Sequence, residues 1–277
     1  MLVRKRFGQH FLHDPRVIRR IIGAVAPEPG QRLVEVGPGR GALTWDLLQR
    51  AHSLDVIEID RDLARELRRD ARATEGLRVH VQDVLDTDFM SLRGEGEPLR
   101  VVGNLPYNIS TPLMFRLLEQ NATIADMHFM LQKEVVDRIT AQPATKDYGR
   151  LTVMVAAAAE AEALFDVGPG AFQPHPKVWS AIVRLRPSRA PRFDIGEAGV
   201  LRSLVTAAFS QRRKTLRNGL KALLSAQEIE SCGIDPQLRP ETLTPAQFGL
   251  LAVQYSRLYS KRDAALQKNI GVAGPVR

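Results

Sequence analysis

Arg32-Leu33-Val34-Glu35-Val36-Gly37-Pro38-Gly39-Arg40-Gly41 is the stretch that decides the fold. Its first half is an apolar run of strand length, and its second half, with three glycines in five residues, has the composition of a tight turn. Residues 41–50 continue as a helical pattern with Leu43, Leu47 and Leu48 inward. The alternation repeats outward from there. Residues 54–58 read as a second strand, and Asp60 opens a charged helix through Ala64 and Leu67 to about Ala71. Residues 77–82, 99–103 and 127–131 read as the third, fourth and fifth strands. The helix between the last two starts near Thr111-Pro112, a capping residue followed by Pro at the first helical position. Residues 156–163 read as helix into strand, and 181–185 as a last strand. Strand and helix in this order predict an α/β fold, a mostly parallel, doubly wound sheet.

Arg186-Pro187-Ser188-Arg189-Ala190-Pro191-Arg192 breaks the pattern and reads as a linker. Helical stretches follow over 200–210, 215–224, 226–232 and 245–259, with apolar faces Leu201-Leu204-Val205-Ala208 and Leu216-Leu220-Leu223. The expected organisation is a domain over 1–188 and a small α-helical C-terminal domain over 189–277, its last dozen residues frayed. Charge follows the same division. Residues 187–277 carry fourteen Lys or Arg against seven Asp or Glu, so nearly all of the formal +8 lies in the last third. A near-neutral body with a basic appendix suggests a polyanion platform beside a small-molecule site.

With 44% hydrophobic and 25% charged residues the composition is that of a globular protein with a real core. There is no run of eighteen apolar residues, so no membrane span is expected. The basic N-terminus leads into Gly8-Gln9-His10 without an apolar signal region. Cys232, the single cysteine, excludes an internal disulfide and a cysteine-rich metal framework. The expectation is a cytoplasmic monomer that needs no metal.

The glycine turn at Gly37 and Gly39 lets backbone approach a ligand at a helix N-terminus, and Glu58 ends the next strand where a carboxylate reaches ribose hydroxyls. Because Ala42 completes G-x-G-x-x-A, a nicotinamide dinucleotide fits these residues as well as S-adenosylmethionine does. Three features favour the latter. Glu35 precedes the first glycine by two residues, as in methyltransferase first motifs; Gln82-Asp83 ends the third strand, where it can read an adenine amino group; and the fourth strand runs into Asn104-Leu105-Pro106-Tyr107. An Asn side-chain oxygen and a neighbouring carbonyl can each accept one N–H of an exocyclic amine while the Tyr ring stacks on the base. That geometry suits amino alkylation of a nucleobase. The plainer reading of the four residues is a Pro-stiffened turn, and of Asp83 a helix cap.

On these residues the chain resembles the small-subunit rRNA adenine N6,N6-dimethyltransferases of the KsgA/RsmA type, over about residues 4–260. Also matching are Lys5 to Leu12, Glu58-Ile59-Asp60, Asn104 to Ser110, Met130 to Val136, Phe172-Gln173-Pro174-His175-Pro176-Lys177-Val178 and Phe209 to Asn218. The resemblance implies a Rossmann-like class I methyltransferase domain, S-adenosylmethionine as methyl donor, and methylation of two adjacent adenines near the small-subunit rRNA 3′ end during subunit maturation. It carries cofactor contacts onto His10, Leu12, Gly37, Glu58, Asp83 and Asn104, although many relatives have Asn where His10 stands. It assigns Asn104, the carbonyl of Leu105 or Pro106, Tyr107 and Phe172 to the target adenine, the two rings gripping the base.

Such a base must be splayed from its stem, which requires grip on surrounding phosphates. Arg212, Arg213, Lys214, Arg217 and Lys221 are the candidates, with Arg213, Arg217 and Lys221 spaced to share one helix face. Arg4-Lys5-Arg6 is a second candidate contact. Three other readings compete: a large-subunit rRNA adenine methyltransferase of the antibiotic-resistance type, an assembly factor acting mainly by binding, and an NAD-dependent oxidoreductase.

Overall fold

A computed structural model describes residues 10–73, 75–106 and 109–270, with side chains assigned up to residue 258. The chain divides into two compact units, one comprising residues up to Thr140 together with Ala158–Arg189, the other Ala141–Ala157 together with the residues from Ala190 on. The chain therefore passes between units three times, where the sequence suggested a single linker. Residues 141–157 join the second unit because Tyr148, Val153 and Ala157 bury their side chains among its helices.

In the first unit the short strand β1 (Phe11–Leu12) precedes helix α1 (Pro15–Val25). Asp14 caps α1 by accepting from the Arg16 and Val17 N–H groups, and Pro15 occupies the first turn, where a missing N–H costs nothing. The sequence expectation omitted both elements. The glycine-rich turn follows β2 (Leu33–Val36) and leads to α2 (Thr44–Ala51); β3 (Leu54–Glu58) leads to α3 (Arg61–Arg69), capped by Asp60 as expected. Next come β4 (Leu77–Val81), α4 (Phe89–Arg93), β5 (Leu99–Asn104) and α5 (Ser110–Glu119). Helix α5 begins at Ser110 with Ile109 at its cap and no side-chain bond, so Thr111 is not the capping residue and Pro112 lies inside the first turn. The unit is completed by β6 (Ile124–Gln132), α6 (Lys133–Ile139) and, after α7 (Arg150–Ala158) of the second unit, β7 (Ala159–Val167), β8 (Phe172–Gln173) and β9 (Ser180–Pro187).

The main sheet has the order β4-β3-β2-β5-β6-β9-β7, parallel from β4 to β6, with β9 antiparallel to both β6 and β7. Strands β2 and β3 are buried along their whole length, as parallel strands covered on both faces must be. The order runs outward from β2 through β3 to β4, then restarts on the other side of β2 with β5. This reversal opens a crevice at the carboxyl ends of β2 and β5. Beside the sheet, β1 and β8 form a two-stranded ribbon that pairs Phe11 with Gln173 and Leu12 with Phe172.

The second unit holds α8 (Ala198–Ser210), α9 (Leu216–Gly219), α10 (Ala226–Glu230) and α11 (Pro245–Ile270) around a core of Leu201, Leu204, Val205, Leu216, Phe248 and Leu251. Tyr148 is fully buried there, and its hydroxyl donates to the Leu243 carbonyl at 2.7 Å. Helix α11 runs on to Ile270, eleven residues past the expected end near Tyr259. Among the described residues, no helix is long and apolar enough to cross a membrane.

Candidate active site

The crevice holds a cavity of about 320 Å³, within the range of small-molecule sites. Four strand ends supply its walls: Gly37 and Gly39 after β2, Glu58 and Ile59 after β3, Gln82 and Asp83 after β4, and Asn104, Leu105 and Pro106 after β5. His10, Leu12 and Phe172 close it from the β1–β8 ribbon. Every expected cofactor and target residue that is described thus lines one space. Tyr107, like Arg4-Lys5-Arg6, lies outside the described residues.

The glycine turn is built to leave its backbone open. Gly37 and Gly39 sit at φ 64° and 58°, the left-handed region that side chains resist. At Gly103 the constraint is proximity: a Cβ would come within 2.8 Å of the Val36 carbonyl oxygen, so glycine lets β2 and β5 run close together up to the site. The Glu58 carboxylate ties the turn down, Oε2 accepting the Gly39 N–H at 3.1 Å and Oε1 the Asp60 N–H at 2.9 Å. Burial pushes its acidity down, raising the pKa, with those two N–H groups opposing the shift. Each oxygen retains a lone pair for a ribose hydroxyl. Asp83 caps a single 3-10 turn, Oδ1 accepting the Leu85 N–H at 2.8 Å, and lines the cavity as well, so the cap does not take it out of the site.

Glu35 is buried in the floor and accepts a hydrogen bond from the Thr44 hydroxyl at 2.6 Å. Desolvation pushes its carboxyl up to about 8, the Thr44 bond working against the shift and the nearby Glu58 charge with it. At neutral pH this acid is mostly uncharged. Thr44 was not singled out from the sequence, although it opens the helix that follows the glycines.

Asn104 donates through Nδ2 to the His10 carbonyl at 3.0 Å, which turns Oδ1 the opposite way and fixes the amide plane. The His10 ring in turn bonds through Nδ1 to the Pro174 carbonyl at 2.8 Å. His10 is thus engaged by ring nitrogen and carbonyl in holding Asn104 and the 172–176 segment. Of the two carbonyls proposed as the second acceptor, that of Pro106 takes the Ile109 N–H at 3.2 Å, which favours Leu105.

Phe172 is 1% exposed, packs with Leu12 and Ala171, its strand paired to Leu12, and lines the cavity wall. The basic stripe, expected on one helix face, does not share one. Helix α9 is a single turn, so Arg213 lies in the turn before it and Lys221 in the turn after it. Arg212 is spent inside the second unit, its Nε on Glu241 at 2.7 Å and its Nη2 on the Thr145 carbonyl at 3.1 Å. Arg213, Lys214, Arg217 and Lys221 are at least partly open to solvent. Among the described residues no cluster of three or more metal-ligating side chains occurs.

Comparison with known proteins adds an independent line. Residues 1–255 match the family model described as ribosomal RNA adenine dimethylase. The chain is 54% identical over 259 residues to ribosomal RNA small subunit methyltransferase A of Pseudomonas aeruginosa, covering 94% of this chain and 97% of that protein. It is 55% identical over 244 residues to the protein of the same name from Nitrosococcus oceani, covering 87% and 91%. Among solved structures, a dimethyladenosine transferase from Plasmodium falciparum superposes with TM-score 0.78 at 24% identity, over 90% of this chain and 98% of that one. The 23S rRNA methyltransferase ErmE superposes with TM-score 0.69 at 29% identity, over 89% and 99%.

Proposed function

Because the chain belongs to the ribosomal RNA adenine dimethylase family, we propose that it transfers methyl groups from S-adenosylmethionine to N6 of two adjacent adenines in a hairpin loop near the 3′ end of small-subunit rRNA. It is an rRNA adenine dimethyltransferase of the small-subunit class: relatives named for that subunit are 54–55% identical, against 29% for the 23S enzyme. The observation that carries the reading is the meeting of the Gly37–Gly39 turn and the Asn104-Leu105-Pro106 segment around one cavity. A hydride-transfer enzyme has no use for the second of these, which disfavours the oxidoreductase alternative.

The donor set suits the cofactor: open backbone at Gly37 and Gly39 for its amino-acid end, Glu58 for its ribose, and Asp83 with Gln82 for its adenine. S-adenosylmethionine supplies a methyl group already activated as a sulfonium, so the protein contributes orientation more than acid or base. Asn104 Oδ1 and the Leu105 carbonyl each accept one N–H of the adenine N6 and aim its lone pair along the line of methyl transfer. What supports Asn104 in this role is its amide plane, preset by the His10 carbonyl. With the cofactor held, the N6 lone pair would form the new N–C bond as the sulfonium S–CH3 bond breaks. The electron pair of that bond would return to sulfur, leaving the neutral thioether S-adenosylhomocysteine, and the surplus N6 proton would leave to solvent. For the second transfer one acceptor loses its partner, at a cost of about 1–3 kcal/mol if it stays dry. Arg213, Lys214, Arg217 and Lys221 supply phosphate contacts from the second unit. The protein acts as a monomer in the cytoplasm, its first unit carrying the chemistry and its second the RNA grip.

The test is incubation with labelled cofactor and small subunits lacking the modification, followed by nucleoside analysis. N6,N6-dimethyladenosine at two neighbouring positions is expected. Label appearing only in large subunits, or none in either, would refute the proposal.

A further inference from the structure

Trp179 alone among the described aromatic side chains is exposed, with 55% of its surface open, and Val178 beside it is 43% exposed. An indole held out in water costs hydrophobic free energy unless something covers it. Its position says where to look. Ser180 pairs with Gln132 at the end of β6, and the Lys133 N–H donates to the Trp179 carbonyl at 2.9 Å. Asn104 pairs with Met130 of the same strand. Trp179 and Asn104 therefore stand on one edge of the sheet, two strands and about three residues apart, or roughly 14 Å. That span corresponds to about two to four nucleotides of single strand, whose stacked rise is about 3.4 Å per residue.

The ring is also prepared for a flat partner. A Cβ on Gly168 would lie 3.6 Å from Trp179 Cη2, so one side of the indole rests near glycine backbone that carries no side chain. Its segment is stiffened by Pro174 and Pro176 and anchored by His175 Nδ1 on the Pro169 carbonyl at 3.1 Å. Lys177 is exposed beside it, while Asp137 and Asp166 are both paired to Lys133, at 3.0 and 3.2 Å.

We propose that Trp179 is a stacking platform for an unpaired base of the substrate RNA flanking the target adenines. The inference rests on the functional reading above. Continuity with the target-base crevice favours an RNA base over an apolar protein surface, because the same single strand must cross this edge to place its adenine beside Asn104.

Steady-state methylation of unmodified small subunits by Trp179→Ala, Trp179→Leu and Trp179→Phe enzymes tests it. Stacking of one base is worth roughly 5- to 100-fold in affinity. The Ala and Leu variants should raise KM for the subunit by that factor, with cofactor affinity unchanged, and the Phe variant should stay near wild type. Titration with an oligoadenylate should quench indole emission in the wild type, and that quench should vanish in Trp179→Phe. An unchanged KM in Trp179→Ala, equal retention by Leu and Phe, or no quenching overturns the inference while leaving the methyltransferase assignment standing. A wild-type protein inactive on small subunits removes both.

Discussion

Replacing Glu35 by Gln should flatten the alkaline side of the stability profile. Glu35 is 2% exposed, and its carboxyl rises from 4.5 to about 8 because burial outweighs the Thr44 hydrogen bond. An acid whose folded value is raised binds its proton more tightly folded than unfolded. Its contribution is therefore complete below about pH 4.5 and is lost as pH rises to about 8, after which no further loss accrues. The full difference is roughly 5 kcal/mol, of which roughly 3 falls between pH 6 and the folded value. Gln has nearly the same shape and can accept the Thr44 hydroxyl, but it does not titrate. Any cost of burying its amide is independent of pH and cancels on comparing conditions. Urea unfolding of both proteins at pH 6 and pH 9 is the assay. The stability of wild type relative to Glu35→Gln should fall by roughly 3 kcal/mol between them, several tenths of a molar or more in midpoint. Parallel profiles would show that Glu35 is charged and solvated, and the account of the cavity floor would fail.

Asn104→Ala should lower kcat by about 100-fold or more while leaving cofactor affinity, by calorimetry, within about tenfold; wild-type turnover would defeat the assignment. His128 sits on β6 with both ring nitrogens lacking hydrogen bonds, Asp126 lying 3.7 Å from Nδ1, and burial holds its pKa down to about 4. Its contribution is intact above 6.5 and is lost as pH falls toward 4, so His128→Leu should resist acid unfolding better than wild type by up to roughly 3 kcal/mol; equal acid midpoints would refute this. Arg213→Glu with Arg217→Glu should weaken RNA binding and reduce the salt slope by about 0.7 to 0.9 for each phosphate the protein no longer neutralises, sparing cofactor binding. Arg212→Ala is the contrast: without its bonds to Glu241 and Thr145 the protein should be less stable by up to about 1 kcal/mol, with little change in salt slope, read by thermal unfolding and filter binding.

What could be read from sequence was whatever one local pattern specifies. An apolar run followed by glycines, or by Asn-Leu-Pro, places a strand end and a turn from a few adjacent residues. Strand order adds that these turns are neighbours, since a right-handed βαβ path leaves β2 flanked by β3 and β5. The missed features are of two kinds. Helix α1 had a visible signal, Asp14-Pro15 ahead of apolar positions 18, 21, 22 and 25. The β1–β8 ribbon had none: two-residue strands about 160 positions apart carry no periodicity. The basic stripe failed for a related reason. Leu216, Leu220 and Leu224 keep helical spacing and are all buried, but the N–H groups of Leu216 and Arg217 go to the Leu238 and Pro236 carbonyls. The residues between the leucines follow turns that the spacing does not reveal.

The unreadable ribbon completes the readable site. Asn104 would swing about its side-chain torsions were its amide not held, and the holding group is the backbone of His10, fixed by Pro174 and by the Leu12–Phe172 pair. A carbonyl cannot be deleted by substitution and leaves no mark in a motif, so the residue type at position 10 matters through its ring and the Pro174 bond. The pairing of Phe172 with Leu12 keeps the ribbon, and through it the Asn104 amide, in register.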